Sequence, residues 1–389
     1  MPRRPHMALG LWLAFAFIGA AIAQPVTPTF NDVSLGVVPT DDGGTYELHT
    51  DIYWATAGTG PRPIVMWIHG GGWQSGSYQQ FAQAARPLLA RGIHVALTDY
   101  RLSHQAIFPA QIHDVKGLVR HLRANAATYN IDPDRIGAWG SSAGGHLTAL
   151  LATSGGVAEV EGVSGGNSVY SSRVQAAVDY FGPTDLLNMN LDVTDPPGNG
   201  IDHDAPTSPE SKLIGFDGAS EGIGVLRENI DNPAPPFPEK VALANLASPS
   251  MHASADDPQI LIAHGLDDTS VPFHQSVRLY DALSPLGVDV TLRPVPGFGH
   301  GALGTETDAA AREFLVRRLL PREPGDMNCD GAVDGADVFI FTKLLTNPAG
   351  HAIALPACNA ANGDFTGDFD VDGADIYGFV ETLLSDMDG

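Results

Sequence analysis

From residue 30 to residue 320 the chain alternates short apolar runs with amphipathic runs of helical period. That rhythm is the strongest constraint on the fold. Apolar runs of strand length, separated by helices, pack as a mostly parallel sheet with helices on both faces. Pro63–His69 is apolar almost without a break, as expected of an inner strand covered on both sides. Tyr46–Tyr53 instead alternates like a half-buried strand, and further strand runs lie at His94–Tyr100, Arg135–Trp139, Val174–Tyr180, Gln259–His264 and Val288–Val295. Helical period marks Ala110–Asn125, Ala143–Thr153, Phe273–Leu283 and Thr307–Leu320. The fold class is therefore α/β. A region of about 300 residues buries roughly 75% of its unfolded surface, so one core suffices without staples.

The rhythm breaks between residues 187 and 250, which are rich in Asp, Asn, Pro and Gly. An excursion this long inside an α/β core is read as a lid-like insertion or as a plain surface loop. At the N-terminus, Arg3 and Arg4 precede an apolar run from Met7 to Ile22, and Ala21-Ile22-Ala23 has the small-residue pattern of a cleavage site. That is a signal-peptide layout over residues 1–23. It predicts a secreted or cell-surface protein, with no membrane segment after cleavage. The expected organisation is a signal peptide (1–23), a catalytic α/β domain (24–321), a linker (322–325) and a C-terminal module (326–389).

Charge narrows the partners. With 21 Lys and Arg against 45 Asp and Glu, the net charge is −24. Such a chain repels phosphate backbones, which argues against nucleic acid. The two cysteines, Cys329 and Cys358, both fall in the C-terminal module. In an exported protein such a pair suggests a disulfide.

Four motifs carry chemistry. Gly140-Ser141-Ser142-Ala143-Gly144 joins a strand to a helix, the context of a nucleophile elbow presenting the Ser142 hydroxyl. His69-Gly70-Gly71-Gly72-Trp73 follows a strand. Its glycines let backbone N–H groups converge, so Gly71 and Gly72, with Ala143, are candidate oxyanion donors. Asp267 and Asp268 follow the strand Gln259–His264, and either could orient a histidine. His300 lies in the glycine-flanked loop Pro296–Gly301 after the last strand. It is the candidate base among fourteen histidines; His69 and His264 read as turn-stabilising.

These segments, with Asp99-Tyr100-Arg101-Leu102 and Ser248-Pro249, together resemble the acetyl xylan esterase/feruloyl esterase group of α/β-hydrolases over roughly residues 30–320. The resemblance implies an eight-stranded, mostly parallel sheet. It also implies a Ser142–His300–Asp268 triad, because the family's acid is the Asp of D-x-x-V-P, and a substrate contact at Trp73. No cofactor is implied for catalysis.

The tail carries a different signal. Asp326, Asn328, Asp330, Asp334 and Asp337 fall at positions 1, 3, 5, 9 and 12 of a calcium-type loop, with the Ala332 carbonyl at position 7 and Gly331 at position 6. Asp364, Thr366, Asp368, Asp370, Asp372 and Asp375 repeat the pattern, though Phe369 replaces the glycine. A register starting at Asp368 is the alternative. The pair resembles a dockerin, a small helical EF-hand-like module, which implies structural Ca2+ and a cohesin-like partner.

The expectation is thus a secreted serine ester hydrolase acting on an ester substrate, such as acetyl or feruloyl groups of plant or algal polysaccharide. A lipid esterase, a polyesterase or an arylformamidase-like amidase would use the same residues. A catalytically silent binding protein on this scaffold is the non-enzyme alternative.

Overall fold

The computed structural model describes residues 27–79, 83–193, 200–330, 332–347, 358–367 and 371–387. The expected signal segment, Gly331 and the candidate ligands Asp368 and Asp370 lie outside the described residues. Among those described, eight strands form one sheet: β1 (Phe30–Pro39), β2 (Thr45–Tyr53), β3 (Arg62–Ile68), β4 (His94–Thr98), β5 (Ile131–Ser141), β6 (Ala176–Tyr180), β7 (Gln259–Gly265) and β8 (Val290–Val295). Their order is β1-β2-β4-β3-β5-β6-β7-β8. The pairs β1–β2 and β2–β4 are antiparallel and the rest are parallel. This is the eight-stranded, mostly parallel sheet of an α/β-hydrolase.

The helices of this part are α1 (Ala110–Ala124), α2 (Ala126–Tyr129), α3 (Ala143–Thr153), α4 (Pro209–Ile214), α5 (Ile223–Glu228), α6 (Phe237–Leu246), α7 (Phe273–Leu283) and α8 (Gly304–Leu319). They cover both sheet faces, and β3 shows why. Its Ile64, Met66 and Ile68 join a buried cluster with Ile112, Val115 and Leu118 of α1 and Leu147 and Leu150 of α3. Val65 points the other way, into a cluster with Leu315, Val316 and Leu319 of α8. Side chains alternate across a strand, so a strand covered twice has no polar face.

β1 escapes the periodicity. It is a largely exposed edge strand, and its register with β2 slips twice, between Phe30 and Val33 and between Ser34 and Gly36. Asp32 there has φ +55°. Bulges of this kind break the two-residue period and blunt an edge against further pairing.

The chain runs from β3 outward to β4, then crosses back over β3 to β5. Such a reversal opens a crevice at the C-terminal ends of the two strands. Ile68 pairs with Gly140, so the loops that follow β3 and β5 leave the sheet side by side.

The described residues of 187–250 form α4, α5 and α6 with short 3-10 turns, and Ile201, His203, Pro209 and Glu210 among them line a cavity at these strand ends. Arg278 of α7 ties it down through Asp192, at 2.6 Å. Beyond α8, helices α9 (Gly335–Thr346) and α10 (Ile376–Met387) share a small core of Met327, Phe341, Leu344 and Phe379. Cys329 and Cys358 form a disulfide there. Asn359 fastens this core to the end of α8, donating to the Leu320 carbonyl at 3.2 Å.

The deepest carboxylate of the sheet is on β6. Asp179 of β6 is fully enclosed, and burial pushes it up to about 6 against the opposing hydrogen bond from the Gly182 N–H and the charge of His264. Its Oδ2 has no hydrogen-bond partner among the described residues. Between about pH 4 and about pH 6 the fold therefore holds a proton that the unfolded chain has lost. Stability should fall as pH rises through that window. Asp179→Asn should remove the Asp179 share of that slope and raise stability at pH 7.5 by roughly 2–3 kcal/mol, at 1.36 kcal/mol per pH unit. Thermal melts at pH 4.0 and 7.5 check this; an equal gain at both would contradict it.

Candidate active site

Ser142 sits between β5 and α3 with φ +56° and ψ −123°. A non-glycine residue there is strained by roughly 1–3 kcal/mol, so the surroundings must hold it. Its N–H donates to the Tyr180 carbonyl at 2.9 Å, and its carbonyl accepts from the His146 N–H at 2.9 Å. Close packing supplies the rest. A Cβ on Gly144 would stand 2.1 Å from the Ile68 carbonyl oxygen, so only glycine lets α3 start this close to β3.

The strands' ends bring three distant side chains together. His300 Nε2 lies 2.9 Å from Ser142 Oγ, and His300 Nδ1 lies 2.8 Å from Asp268 Oδ2. Asp268 follows β7 and His300 follows β8. The other Asp268 oxygen, Oδ1, accepts from the N–H groups of Ser270 and Val271 at 2.8 and 2.9 Å. Its side chain is fully buried. Burial alone would raise its pKa, but hydrogen bonds with His264 and His300 outweigh this and hold it well below the usual carboxylate range. Asp268 is therefore ionised wherever the protein is folded at moderate pH. Asp267, the alternative, makes no hydrogen bond to His300; its N–H donates to the Phe298 carbonyl at 2.9 Å.

The loop after β3 lies against this turn. Gly71, Gly72 and Trp73 have φ of +114°, +59° and +56° in succession. Gly71, Gly72 and Ala143 line the same cavity as Ser142. Ala143 opens α3, and first-turn N–H groups have no carbonyl in their own helix to bond. Trp73 is more deeply buried than the two glycines before it. Its ring borders the cavity, but it is only 1% exposed, and its indole N–H donates to His146 Nδ1 at 3.2 Å. Burial and this hydrogen bond hold the indole in place.

The two other histidines beside these loops are structural. His69 stacks on Tyr100 with centroids 4.3 Å apart. His264 joins Ser276 Oγ at 2.7 Å to the Val271 carbonyl at 2.9 Å, behind Asp268.

The cavity holds about 670 Å³, room for a small ligand. Several of its residues carried no sequence signal. Trp67, Tyr180, Phe181 and Leu303 form an apolar wall, with Asp308 accepting from the Tyr180 hydroxyl at 3.2 Å. Described residues of 187–250 also line the cavity, among them the buried His203 and Glu210, whose Nδ1 and Oε2 lie 3.0 Å apart. Burial would lower the His203 pKa, but Glu210 raises it above the ordinary value.

In the tail the two candidate loops share one hydrogen-bond frame. Asp337 Oδ1 accepts from the N–H groups of Met327 and Asn328, and Asp375 Oδ1 accepts from those of Phe365 and Thr366. Asp337 Oδ2 accepts from Asp334 N–H, and Asp375 Oδ2 from Asp372 N–H, both at 2.8 Å. Asp375 thus holds the same place in its loop as Asp337 does in the first, as the register starting at Asp364 expects. Asp326, Asp337, Asp364 and Asp375 are buried, whereas Asn328, Asp330, Ala332, Asp334, Thr366 and Asp372 lie nearer the surface. Among the described residues, no three Asp, Glu, His or Cys side chains converge as a metal site.

Residues 50–283 match the BD-FAE family. The chain belongs to that family. Two curated relatives of this BD-FAE protein are esterases by name. A probable isoprenylcysteine alpha-carbonyl methylesterase of Arabidopsis thaliana is 28% identical over 294 residues, covering 70% of this chain and 56% of its own length. Esterase LipQ of Mycobacterium tuberculosis is 29% identical over 244 residues, covering 61% and 50%. The chain thus spans about half the length of these curated relatives. Among solved structures, a truncated carbohydrate esterase from gut microbiota is 32% identical, with a TM-score of 0.61, covering 74% of this chain and 94% of that one. Esterase 2 of Thermogutta terrifontis, at 24% identity and TM-score 0.55, shares the fold over 74% of this chain and 96% of its own. The BD-FAE chain carries a carboxylic-ester hydrolase domain.

Gly144→Ala tests the packing beneath Ser142. The added Cβ meets backbone, which cannot swing aside, so the variant should lose roughly 3 kcal/mol or more in urea unfolding. A midpoint equal to wild type would contradict the close approach.

Proposed function

We propose that this protein is an exported serine esterase that removes acyl groups, acetyl or feruloyl, from polysaccharide. The hydrogen-bonded chain Ser142–His300–Asp268 at the edge of the cavity carries the reading. His300 Nε2 takes the Ser142 proton as Oγ attacks the acyl carbon. Asp268 holds Nδ1–H in place and stabilises the imidazolium. The N–H groups of Gly71, Gly72 and Ala143 receive the oxyanion. His300 then protonates the leaving alcohol, and water, activated by the same histidine, releases the acid.

The carbohydrate substrate is supported by the gut-microbiota carbohydrate esterase, which shares 32% of its aligned sequence with this chain. Export is supported by the leader pattern and by the Cys329–Cys358 disulfide, a bond characteristic of oxidising compartments.

We read the C-terminal repeat as a dockerin-like module. The donors fit a hard cation in kind: Asp326, Asn328, Asp330, Asp334 and Asp337 offer oxygen alone, with the Ala332 carbonyl at position 7. Bound calcium would offset the repulsion among these carboxylates and order the loop. The exposed pairs Val338–Phe339 and Ile376–Tyr377 follow the two position-12 aspartates and offer equivalent apolar faces to a cohesin-like partner.

Ser142→Ala should abolish release of acetate from acetylated xylan and of p-nitrophenol from its acetate ester; activity within tenfold of wild type would refute the mechanism. A preference for p-nitrophenyl esters, with no acyl release from acetylated xylan or methyl ferulate, would refute the carbohydrate reading alone. Equilibrium dialysis of the full chain should find calcium bound, and Asp326→Ala should lower the stoichiometry. Absence of bound calcium at millimolar concentration would end the dockerin reading.

A further inference from the structure

The nucleophile turn, the glycine loop and the end of the 187–250 segment are far apart in the chain. One buried residue, His146, bonds to all three, to the first through its backbone and to the other two through its ring. His146 lies one turn into α3, where its N–H bonds the Ser142 carbonyl. Its ring Nδ1 is 3.2 Å from the Trp73 indole nitrogen, and its Nε2 is 2.6 Å from the Ala247 carbonyl oxygen. Ala247, like His146, is fully buried.

Those two partners fix the ring's proton. An indole N–H can only donate, and a carbonyl can only accept. Nδ1 is therefore bare and Nε2 carries the hydrogen. The ring is neutral, consistent with burial lowering its pKa to about 4.

The loop needs such an anchor. Residues 71–73 belong to no helix or strand, and all three have positive φ. For Trp73 that backbone is one a bulky side chain avoids. The indole is held by burial, by the hydrogen bond, and by an edge-on contact with the imidazole at 5.0 Å and 86°.

We infer that His146 is a positioning residue that locks the glycine loop to the nucleophile turn through the Trp73 indole, fixing the oxyanion donors relative to Ser142 Oγ. The inference rests on the ester-hydrolase reading. It gives Trp73 a role that its burial allows. It also makes the spacing of the oxyanion site depend on Ala247, at the end of the cavity-covering segment.

Three variants test it. Trp73→Phe keeps an aromatic ring and deletes the donor. His146→Leu deletes both ring bonds. His146→Asn keeps an acceptor near the Nδ1 position. Turnover of p-nitrophenyl acetate is measured per active site, counted by fluorophosphonate labelling run to completion, together with KM and melting temperature. Trp73→Phe and His146→Leu should lose about 10- to 100-fold in kcat, with KM changed less than about threefold, because misplaced donors act on the transition state. His146→Asn should recover at least about fivefold over His146→Leu. A kcat per labelled site within twofold of wild type in the first two variants, or a change confined to KM, overturns the inference even if the melting temperature falls. If the wild-type chain itself neither labels nor turns over, the ester-hydrolase reading fails and the inference falls with it.

Discussion

The parallel pairing of β3 with β5 is the contact on which the site depends. Ile68 lies opposite Gly140, so two loops from distant parts of the chain leave the sheet together. The absence of a side chain on Gly144 lets α3 begin against the Ile68 carbonyl. Ser142 is thereby held at a strained φ with its hydroxyl toward His300. Nothing in the turn itself would maintain that conformation. It persists because sheet, helix and glycine loop leave no alternative packing.

The second constraint is electrostatic. Asp268 is buried, yet it stays ionised because four groups address it: two backbone N–H groups, His264 and His300. An unpaired carboxylate at that depth would take up a proton. Asp179 lies one strand away, lacks such partners on one oxygen, and shows that outcome in its raised pKa. The contrast explains why one buried aspartate can hold an imidazole while another belongs only to the core.

Much of this was legible in the sequence because the signals were local. Inner strands such as Ile64–Ile68 read as unbroken apolar runs, since both faces are covered. Ser142, the glycines after His69 and His300 announced themselves by following strands in glycine-rich contexts, whereas position alone left Asp267 and Asp268 open and the family resemblance chose Asp268. What escaped was long-range. β1 is a bulged, exposed edge with no clean alternation. His203 and Glu210 lie in a segment that breaks the strand–helix rhythm, and only the fold turns them toward the cavity. Trp73 was legible as an aromatic beside the glycine loop, but its burial depends on His146 and Ala247, seventy-odd and more residues away. In the tail, two registers were readable, the one starting at Asp364 being preferred because it matches the first copy, and Asp337 and Asp375 cap their turns alike.

The central claim is that the Ser142 hydroxyl, activated by His300 and Asp268, is the nucleophile. Labelling the intact protein with a fluorophosphonate and mapping the adduct by mass spectrometry tests it most directly. The account predicts one adduct, on the peptide containing Ser142, and its loss in His300→Ala. No adduct, an adduct on another serine, or undiminished labelling without His300 would contradict it.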